Sequence, residues 1–469
     1  MMKNERLVKM ILVITVSACW VLFVATLSYS RYLTIQSVLC LILQLSVLSY
    51  LIAIVDFSTT LNLPFILLLW YFLTAYTAKF LIVMSINVMP LLALPQAPHQ
   101  LTLNAGLIDS AALIMAGTSL VLTLFYYILR RFSASATYQA VNIEIRRSRV
   151  YWLTGGFLLF YIILSSLSLH LGIASMGKVQ TALPFKIVGL LYYLRRFAIF
   201  AFILFLQYLA CRDLRYVKLA AGVTAFYIIA EFLLSTSKAV LFMTVMSPLI
   251  MYYLTREISL RAAATIVGII IGLIIVYPLL GAFRSKELGR IFFEGGLTLD
   301  LLVSSVKSYY IHYYGNTSIF AAGAVKLFSR MTGADMLLVI LDHGAYSGGE
   351  NPYLYLTRVI LGMSLNEAHR EAPGLLGFFQ LLGGYQYVMI GLFIFMSLSF
   401  IYYRVLLFLL PQPLTATLFL MVFLMAIMDG VFDRNTLNVL LMTGVAALLS
   451  NGLFRFTCRI IPDCCSSIA

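Results

Sequence analysis

Residues 262–290 decide the fold: residues 262–280 read AAATIVGIIIGLIIVYPLL and residues 281–290 read GAFRSKELGR. The first stretch is apolar and long enough, as a helix, to cross the hydrocarbon core of a bilayer, which takes about 20 residues. The second stretch opens an insert, residues 281–374, with eight basic residues, eight acidic residues and three of the five histidines. Titratable side chains gathered in one water-facing segment favour a membrane enzyme that works at one surface of the bilayer over a pump or a channel.

The composition excludes a water-soluble protein. Hydrophobic residues make up 62% of the chain and charged residues 11%, whereas soluble domains are about 45–50% apolar and about 25% charged. The net charge of +14 follows the loops and forms no continuous basic stripe, which argues against nucleic acid as a partner. None of the six cysteines lies in the insert, so no disulfide framework holds it.

Apolar runs of membrane-spanning length predict an all-α, polytopic transmembrane bundle of about twelve spans. The first run follows Lys3, Arg6 and Lys9 and resembles a signal peptide, but it continues to about Tyr29 without a convincing cleavage site. We interpret it as a retained first span. The predicted spans are residues 9–29, 33–55, 61–86, 107–129, 150–171, 187–210, 216–234, 237–254, 262–280, 377–402, 405–428 and 436–454.

Lysine and arginine concentrate in alternate loops, which predicts that both termini are cytoplasmic. The chain then divides into residues 1–280 with about nine spans, a large helical periplasmic loop at 281–374, and residues 375–469 with the last three spans and a cytoplasmic tail. Within the loop, helical start and stop signals predict surface-lying or partly re-entrant helices, among them residues 334–342 and 353–362.

Several charges fall inside or beside the predicted spans near their outer ends, where burial in hydrocarbon costs on the order of 2.5–3.5 kcal/mol. One interpretation is that these side chains reach the outer headgroups or form ion pairs such as Glu231–Lys238. Another is a shared pocket for an anion, because the planar fork of arginine binds phosphate oxygens bidentately. The candidate phosphate-binding residues are Arg195, Arg196, Lys238, Arg284 and Arg434, and Lys79 lies at a similar depth.

Four stretches resemble the Wzy-type O-antigen (oligosaccharide repeat-unit) polymerases. Residues 233–254, LLSTSKAVLFMTVMSPLIMYYL, resemble their short outer turn, with Lys238 where many members have arginine. Residues 277–286, YPLLGAFRSK, resemble the exit from a span into the large loop, and residues 371–393, EAPGLLGFFQLLGGYQYVMIGLF, resemble the return to the membrane. Residues 428–437, MDGVFDRNTL, resemble the late outer turn that carries Arg434.

The resemblance implies a glycosyltransferase of the bacterial inner membrane that polymerises undecaprenyl-pyrophosphate-linked repeat units at the periplasmic face without metal or other cofactor. Arginines would stabilise the charge on the pyrophosphate leaving group, and a general base would take the proton of the acceptor hydroxyl. Its partners would be the lipid-linked oligosaccharide, membrane lipids and a chain-length regulator protein. The candidate bases are His369, Glu371 and Asp433, followed by Asp429 and Glu294, and the candidate sugar contacts are Tyr310, His312 and Arg370.

Other interpretations stay open. The cluster at Glu367–Glu371 is also an ordinary helix-end set of charges, and the tyrosines around His312 also suit interfacial anchors. A flippase for lipid-linked oligosaccharides would need charges through the full depth of a central cavity, whereas the intramembrane charges here fall at one level. An O-antigen ligase uses the same donor and shares the layout, so the sequence does not separate it from a polymerase.

Overall fold

The computed structural model describes most of the chain in segments. These are residues 5–57, 62–86, 103–133, 143–171, 199–235, 333–343, 374–411, 414–420 and 434–460, together with single residues or short groups at 191, 194–195, 244, 247–252, 268, 271–272, 303–304, 307–308 and 311.

Helices dominate the described residues. In chain order they include α1 (Glu5–Tyr29), α2 (Ile35–Ile54), α3 (Leu63–Tyr71), a π-helical segment (Phe72–Ala78), α4 (Lys79–Ile86), α5 (Ala105–Ser133), α6 (Arg147–His170), α7 (Ile199–Arg212), a 3₁₀ turn (Leu214–Tyr216), α8 (Val217–Ser235), α9 (Ala334–His343), α10 (Gly374–Gly383), α11 (Tyr385–Leu409) and α12 (Arg434–Thr457). Two three-residue strands, β1 (Ile143–Ile145) and β2 (Cys458–Ile460), pair antiparallel. The prediction of an all-helical fold is confirmed for the described residues apart from this ribbon.

Six helices of the described part of the chain are long and apolar enough to cross a membrane. The first five follow predicted apolar runs with ends that differ by at most four residues, whereas the sixth is displaced by seven to eight residues from the predicted span 377–402. The six helices are Glu5–Tyr29, Ile35–Ile54, Leu63–Ser85, Ala105–Arg131, Arg147–Ser168 and Tyr385–Leu409.

Local caps explain where several helices begin. Thr34 and Ser37 form a capping box at the start of α2, in which each side chain accepts a hydrogen bond from the other residue's backbone N–H. The side chain of Asn104 accepts from the backbone N–H of Leu107 at 2.9 Å before α5. Such caps satisfy N–H groups that have no partner within the helix.

The predicted spans 377–402 and 405–428 have wrong boundaries. Gly384 has a φ of +80°, a conformation that glycine adopts without steric cost, and it separates α10 from α11. Arg404 does not end a helix, because α11 continues through it to Leu409. The helix stops before Pro411, since the residue before a proline is disfavoured in the helical conformation.

The chain forms two compact units. Unit 1 comprises Met1–Ser133, Glu257–Tyr403 and Phe423–Leu437. In it, α1, α2, the π-helical segment, α4 and α5 pack together, and α9 packs against α4, α5, α10 and the π-helical segment.

Of the two interpretations of residues 334–342, the surface-lying helix is wrong, and the partly re-entrant helix stays a prediction. The first seven residues of α9, Ala334 to Ile340, are buried in unit 1. The helix is apolar apart from Asp335, Asp342 and His343, so burying it among other helices removes its hydrophobic side chains from water. The insert is therefore not water-facing throughout.

Unit 2 comprises Ala134–Arg256, Arg404–Val422 and Asn438–Ala469. Helices α6 and α8 both pack against α7. Phe157 of α6 stacks on the buried Phe202 of α7, with 4.2 Å between the ring centroids. The ribbon joins the start of α6 to the end of α12, because the backbone N–H of Arg146 donates to the carbonyl of Thr457 at 2.8 Å.

Two buried ion pairs and the candidate site

Arg195 is the candidate site residue whose side chain the structure places. Arg434 is the first residue of α12. The other candidates lie outside the described residues: Arg196, Lys238, Arg284, Glu294, Tyr310, His312, His369, Arg370, Glu371, Asp429 and Asp433. Their roles and their convergence with Arg195 stay predictions.

Arg195 is fully buried and forms an ion pair with Glu231 of α8. Its Nε lies 2.8 Å from Oε1 of Glu231, and its Nη2 donates to Oε2 at 3.5 Å. The hydroxyl of Tyr161, on α6, donates to the same Oε1 at 3.3 Å. The site thus combines side chains from three segments of unit 2: Tyr161 from α6, Glu231 from α8 and Arg195 from the residues before α7.

The guanidinium of Arg195 is only partly satisfied. Its Nη1 has no hydrogen-bond partner among the residues that the structure describes, and its Nε approaches Glu231 without the alignment of a hydrogen bond. Buried polar groups are almost always hydrogen-bonded, and a guanidinium offers five N–H donors. Spare donors on a buried cation are what an anionic ligand would use.

The position of this pair along the helices is well defined. Tyr161 lies fourteen residues after Arg147, the first residue of α6, and Glu231 lies fourteen residues after Val217, the first residue of α8. At 1.5 Å per residue, both lie about 21 Å from the start of their helices. The pair is therefore well away from the end of unit 2 at which α6 and α8 begin.

A second buried ion pair lies within unit 1. Nζ of Lys79, the first residue of α4, is 2.7 Å from Oδ2 of Asp335 in α9. Oδ1 of Asp335 accepts from the backbone N–H of Gly333 at 3.2 Å. The interpretation of Lys79 as a side chain that reaches the outer headgroups is wrong, because Lys79 is fully buried.

The surroundings of Lys79 are closely packed. A Cβ on Gly333 would clash with the backbone carbonyl of Ala75 in the π-helical segment. Tyr76 of the same segment accepts from the backbone N–H of Leu376 at 2.9 Å, and Gln44 donates to Thr77 at 2.8 Å. These contacts fix α9, α10 and α2 against the π-helical segment.

Sequence reasoning identified Lys79, Arg195 and Glu231 as intramembrane charges but did not predict the pairs Lys79–Asp335 and Arg195–Glu231. The predicted pair Glu231–Lys238 stays a prediction because Lys238 lies outside the described residues. Asp335 was missed as the partner of Lys79, although one carboxylate at the start of the apolar helix ADMLLVILDH was a signal. Tyr161 was also missed, because a tyrosine within the apolar α6 has no local feature that marks it.

Within the described segments, no group of three or more His, Cys, Asp or Glu side chains is placed to hold a metal ion. Comparison of the chain with protein-family models, with curated proteins and with solved structures gave no match. The class of protein therefore follows from the fold alone: its long apolar helices are those of a helical integral membrane protein.

Proposed function

We propose that the protein is a membrane glycosyltransferase that polymerises undecaprenyl-pyrophosphate-linked oligosaccharide repeat units at the periplasmic face of a bacterial inner membrane. The proposal includes about twelve spans, cytoplasmic termini and an outer loop at residues 281–374. The observation that carries it is the buried guanidinium of Arg195, held on one side by Glu231 and with Nη1 unpartnered within the described residues.

The chemistry of an arginine in this state suits a pyrophosphate leaving group. A buried cation with spare donors stabilises negative charge more strongly than an exposed one, because little water screens the interaction. Glu231 neutralises the guanidinium before the ligand binds, and it orients the fork so that the remaining N–H groups point in one direction. In the proposed reaction the general base takes the proton of the acceptor hydroxyl, whose oxygen bonds to the anomeric carbon of the donor sugar. The C–O bond between that carbon and the pyrophosphate breaks, its electron pair stays on the pyrophosphate, and Arg195 binds a phosphate oxygen.

The depth of the pair also supports an outer-leaflet substrate. The starts of α6 and α8 carry Arg146, Arg147, Arg149, Arg215 and Lys218, so the positive-inside rule favours a cytoplasmic location for them. Arg195 would then lie about 21 Å from that end, within the outer half of a hydrocarbon core about 30 Å thick. The sequence predicts Arg196, Lys238, Arg284 and Arg434 as further phosphate-binding residues and His369, Glu371 or Asp433 as the general base.

Deletion of the gene in its native host separates the proposed activity from its alternatives. A polymerase deletion leaves lipid A core capped with one repeat unit. A ligase deletion leaves bare core with lipid-linked polymer, and a flippase deletion leaves repeat units on the cytoplasmic side. Only the first result supports the proposal, and either of the others overturns it.

Complementation of the deletion strain tests the pocket. We expect Arg284→Ala and Arg434→Ala to abolish chain growth while the protein stays in the membrane at its normal abundance, measured by immunoblotting. Arg31→Ala is the control, because Arg31 is an exposed arginine outside the proposed pocket. Polymer of normal length from both pocket variants would contradict the assignment.

A further inference from the structure

One end of unit 2 gathers the ends of four helices. The guanidinium of Arg149, near the start of α6, donates from Nη1 to the carbonyl of Phe456 in α12 at 2.9 Å. Ring contacts of 6.4–6.5 Å join Tyr208 of α7 to Phe454 of α12 and Tyr151 of α6 to Tyr216 before α8. The starts of α6 and α8 and the ends of α7 and α12 therefore lie together.

This end, which we term the basic end, is strongly positive. Only Asp213 is acidic among the placed side chains at these helix ends, and it pairs with Arg215 at 3.7 Å. The basic end is defined by Arg146, Arg147, Arg149, Arg212, Arg215, Lys218 and Arg455. Such an excess of positive charge attracts anionic lipid headgroups, at about 1 kcal/mol per basic residue near the membrane surface.

An apolar groove begins one helical turn from Arg149. It has a volume of 390 Å³ and runs along α6 beside Phe456. Gly156 forms part of its floor, with no atom within 4 Å of where a Cβ would lie. The lining residues are Trp152, Leu153, Gly156, Phe157, Phe160 and Phe456.

The groove and the positive charge meet at one residue. The guanidinium carbon of Arg149 lies 4.9 Å from the centroid of the Phe456 ring, which itself lines the groove. Arg149 uses one N–H for the Phe456 carbonyl and retains others for an anion. Trp152, which is 82% exposed, has the amphipathic ring that favours the headgroup level of a bilayer.

We propose that this groove binds an anionic phospholipid of the leaflet next to the basic end. One acyl chain lies along Gly156 and the surrounding aromatic rings, and the phosphate lies against Arg149. Charge complementarity selects an anionic headgroup over a zwitterionic one, because six further basic side chains lie at the same end of unit 2. This inference does not depend on the proposed glycosyltransferase activity.

Quenching of Trp152 fluorescence tests the proposal in the full-length protein. Trp20→Phe and Trp70→Phe leave Trp152 as the only tryptophan of the chain, which has three. The protein is placed in phosphatidylcholine vesicles with a minor fraction of either acyl-brominated phosphatidylglycerol or acyl-brominated phosphatidylcholine. We expect brominated phosphatidylglycerol to quench Trp152 at a severalfold lower mole fraction, and equal quenching by the two lipids would overturn the proposal.

Two matched pairs of variants test the binding mode. Arg149→Gln should lower the preference for phosphatidylglycerol about fivefold, the equivalent of one basic contact, whereas Arg215→Gln, with the same change in charge at the same end, should lower it less, because Arg215 already pairs with Asp213. Gly156→Leu should abolish the preference by filling the groove, whereas Gly155→Leu, on the neighbouring exposed position with equally open space, should not. Equal effects within either pair would show general attraction to the surface and would overturn the site.

Discussion

The two buried ion pairs differ in how fully their partners are satisfied. In unit 1, both carboxylate oxygens of Asp335 are used, one by Lys79 and one by the backbone N–H of Gly333. In unit 2, Arg195 contacts Glu231 along one side, while Nη1 has no hydrogen-bond partner in the described part of the chain. The ammonium of lysine is a compact charge, whereas the planar guanidinium of arginine has more N–H donors than one carboxylate can accept.

Burial and backbone conformation do not separate the two pairs. Lys79 and Arg195 are both fully buried. The π-helical segment Phe72–Ala78 ends directly before Lys79, and the backbone of Leu194 and Arg195 is also π-helical. Although π-helical turns are frequent at functional sites, the unsatisfied donors distinguish the pair of unit 2. The comparison therefore favours a structural role for Lys79–Asp335 and supports the proposal that Arg195 binds a ligand.

Removal of Asp335 should have the largest effect on stability. Asp335→Ala leaves the Lys79 ammonium buried without its carboxylate, and breaking a buried pair in this way costs about 3–5 kcal/mol. The double variant Lys79→Met, Asp335→Leu should recover most of that loss, because an apolar pair of similar volume needs no charge partner. The measurement is unfolding of the purified protein in detergent.

Asp213→Ala is the matched control for this prediction, because the Asp213–Arg215 pair is partly exposed and such pairs contribute about 0–1 kcal/mol. A double variant as unstable as Asp335→Ala would contradict the explanation that the loss comes from an unpaired buried charge.

Arg195→Lys should reduce the rate of polymer formation about 100-fold, as for loss of one donor to a developing anion. The ammonium can still pair with Glu231, so the unfolding temperature should change little. The converse substitution, Lys79→Arg, should lower stability and leave activity per folded molecule unchanged. The larger side chain in a closely packed site costs about 1–3 kcal/mol of stability. Full activity of Arg195→Lys would remove the distinction between the two pairs.

The sequence predicted those features of the fold that depend on local pattern. The apolar run at 33–55 corresponds to α2 at Ile35–Ile54, since span length and the Thr34 cap are both readable locally. The burial of α9 was not predictable in this way. Its partner Lys79 is 256 positions from Asp335 along the chain, and nothing near Asp335 indicates which helix will cover it.

The same reason explains what was missed elsewhere. The ribbon pairs Ile143 with Ile460 across most of the chain, and strands of three residues have too little pattern to detect. For the candidate site, charge inside an apolar run identified Arg195 and Glu231, because such charges are costly and rare in membranes. Their pairing, and the contribution of Tyr161, depended on tertiary contacts among α6, α8 and Arg195.

Tyr161→Phe should have the smallest of these effects. The hydroxyl of Tyr161 donates to Glu231 at 3.3 Å, and a hydrogen bond to a carboxylate contributes about 1.5–3 kcal/mol. Without it Glu231 keeps its contact with Arg195 but has more freedom to rotate. We expect the rate of polymer formation by Tyr161→Phe to fall about fivefold in proteoliposomes. This corresponds to an increase of about 1 kcal/mol in the activation free energy, caused by a less well positioned guanidinium.

Tyr126→Phe is the matched control for Tyr161→Phe. The Tyr126 hydroxyl donates to the carbonyl of Ile54 at 2.9 Å within unit 1, so its loss should lower stability and leave activity per folded molecule unchanged. If both tyrosine variants lost activity equally, Glu231 would have no special role in orienting Arg195. If only Tyr161→Phe lost activity, the result would support the view that Glu231 positions the guanidinium of Arg195. Tyr161 contacts Glu231 and has no hydrogen bond to Arg195 in the described structure, so its effect on Arg195 would pass through Glu231.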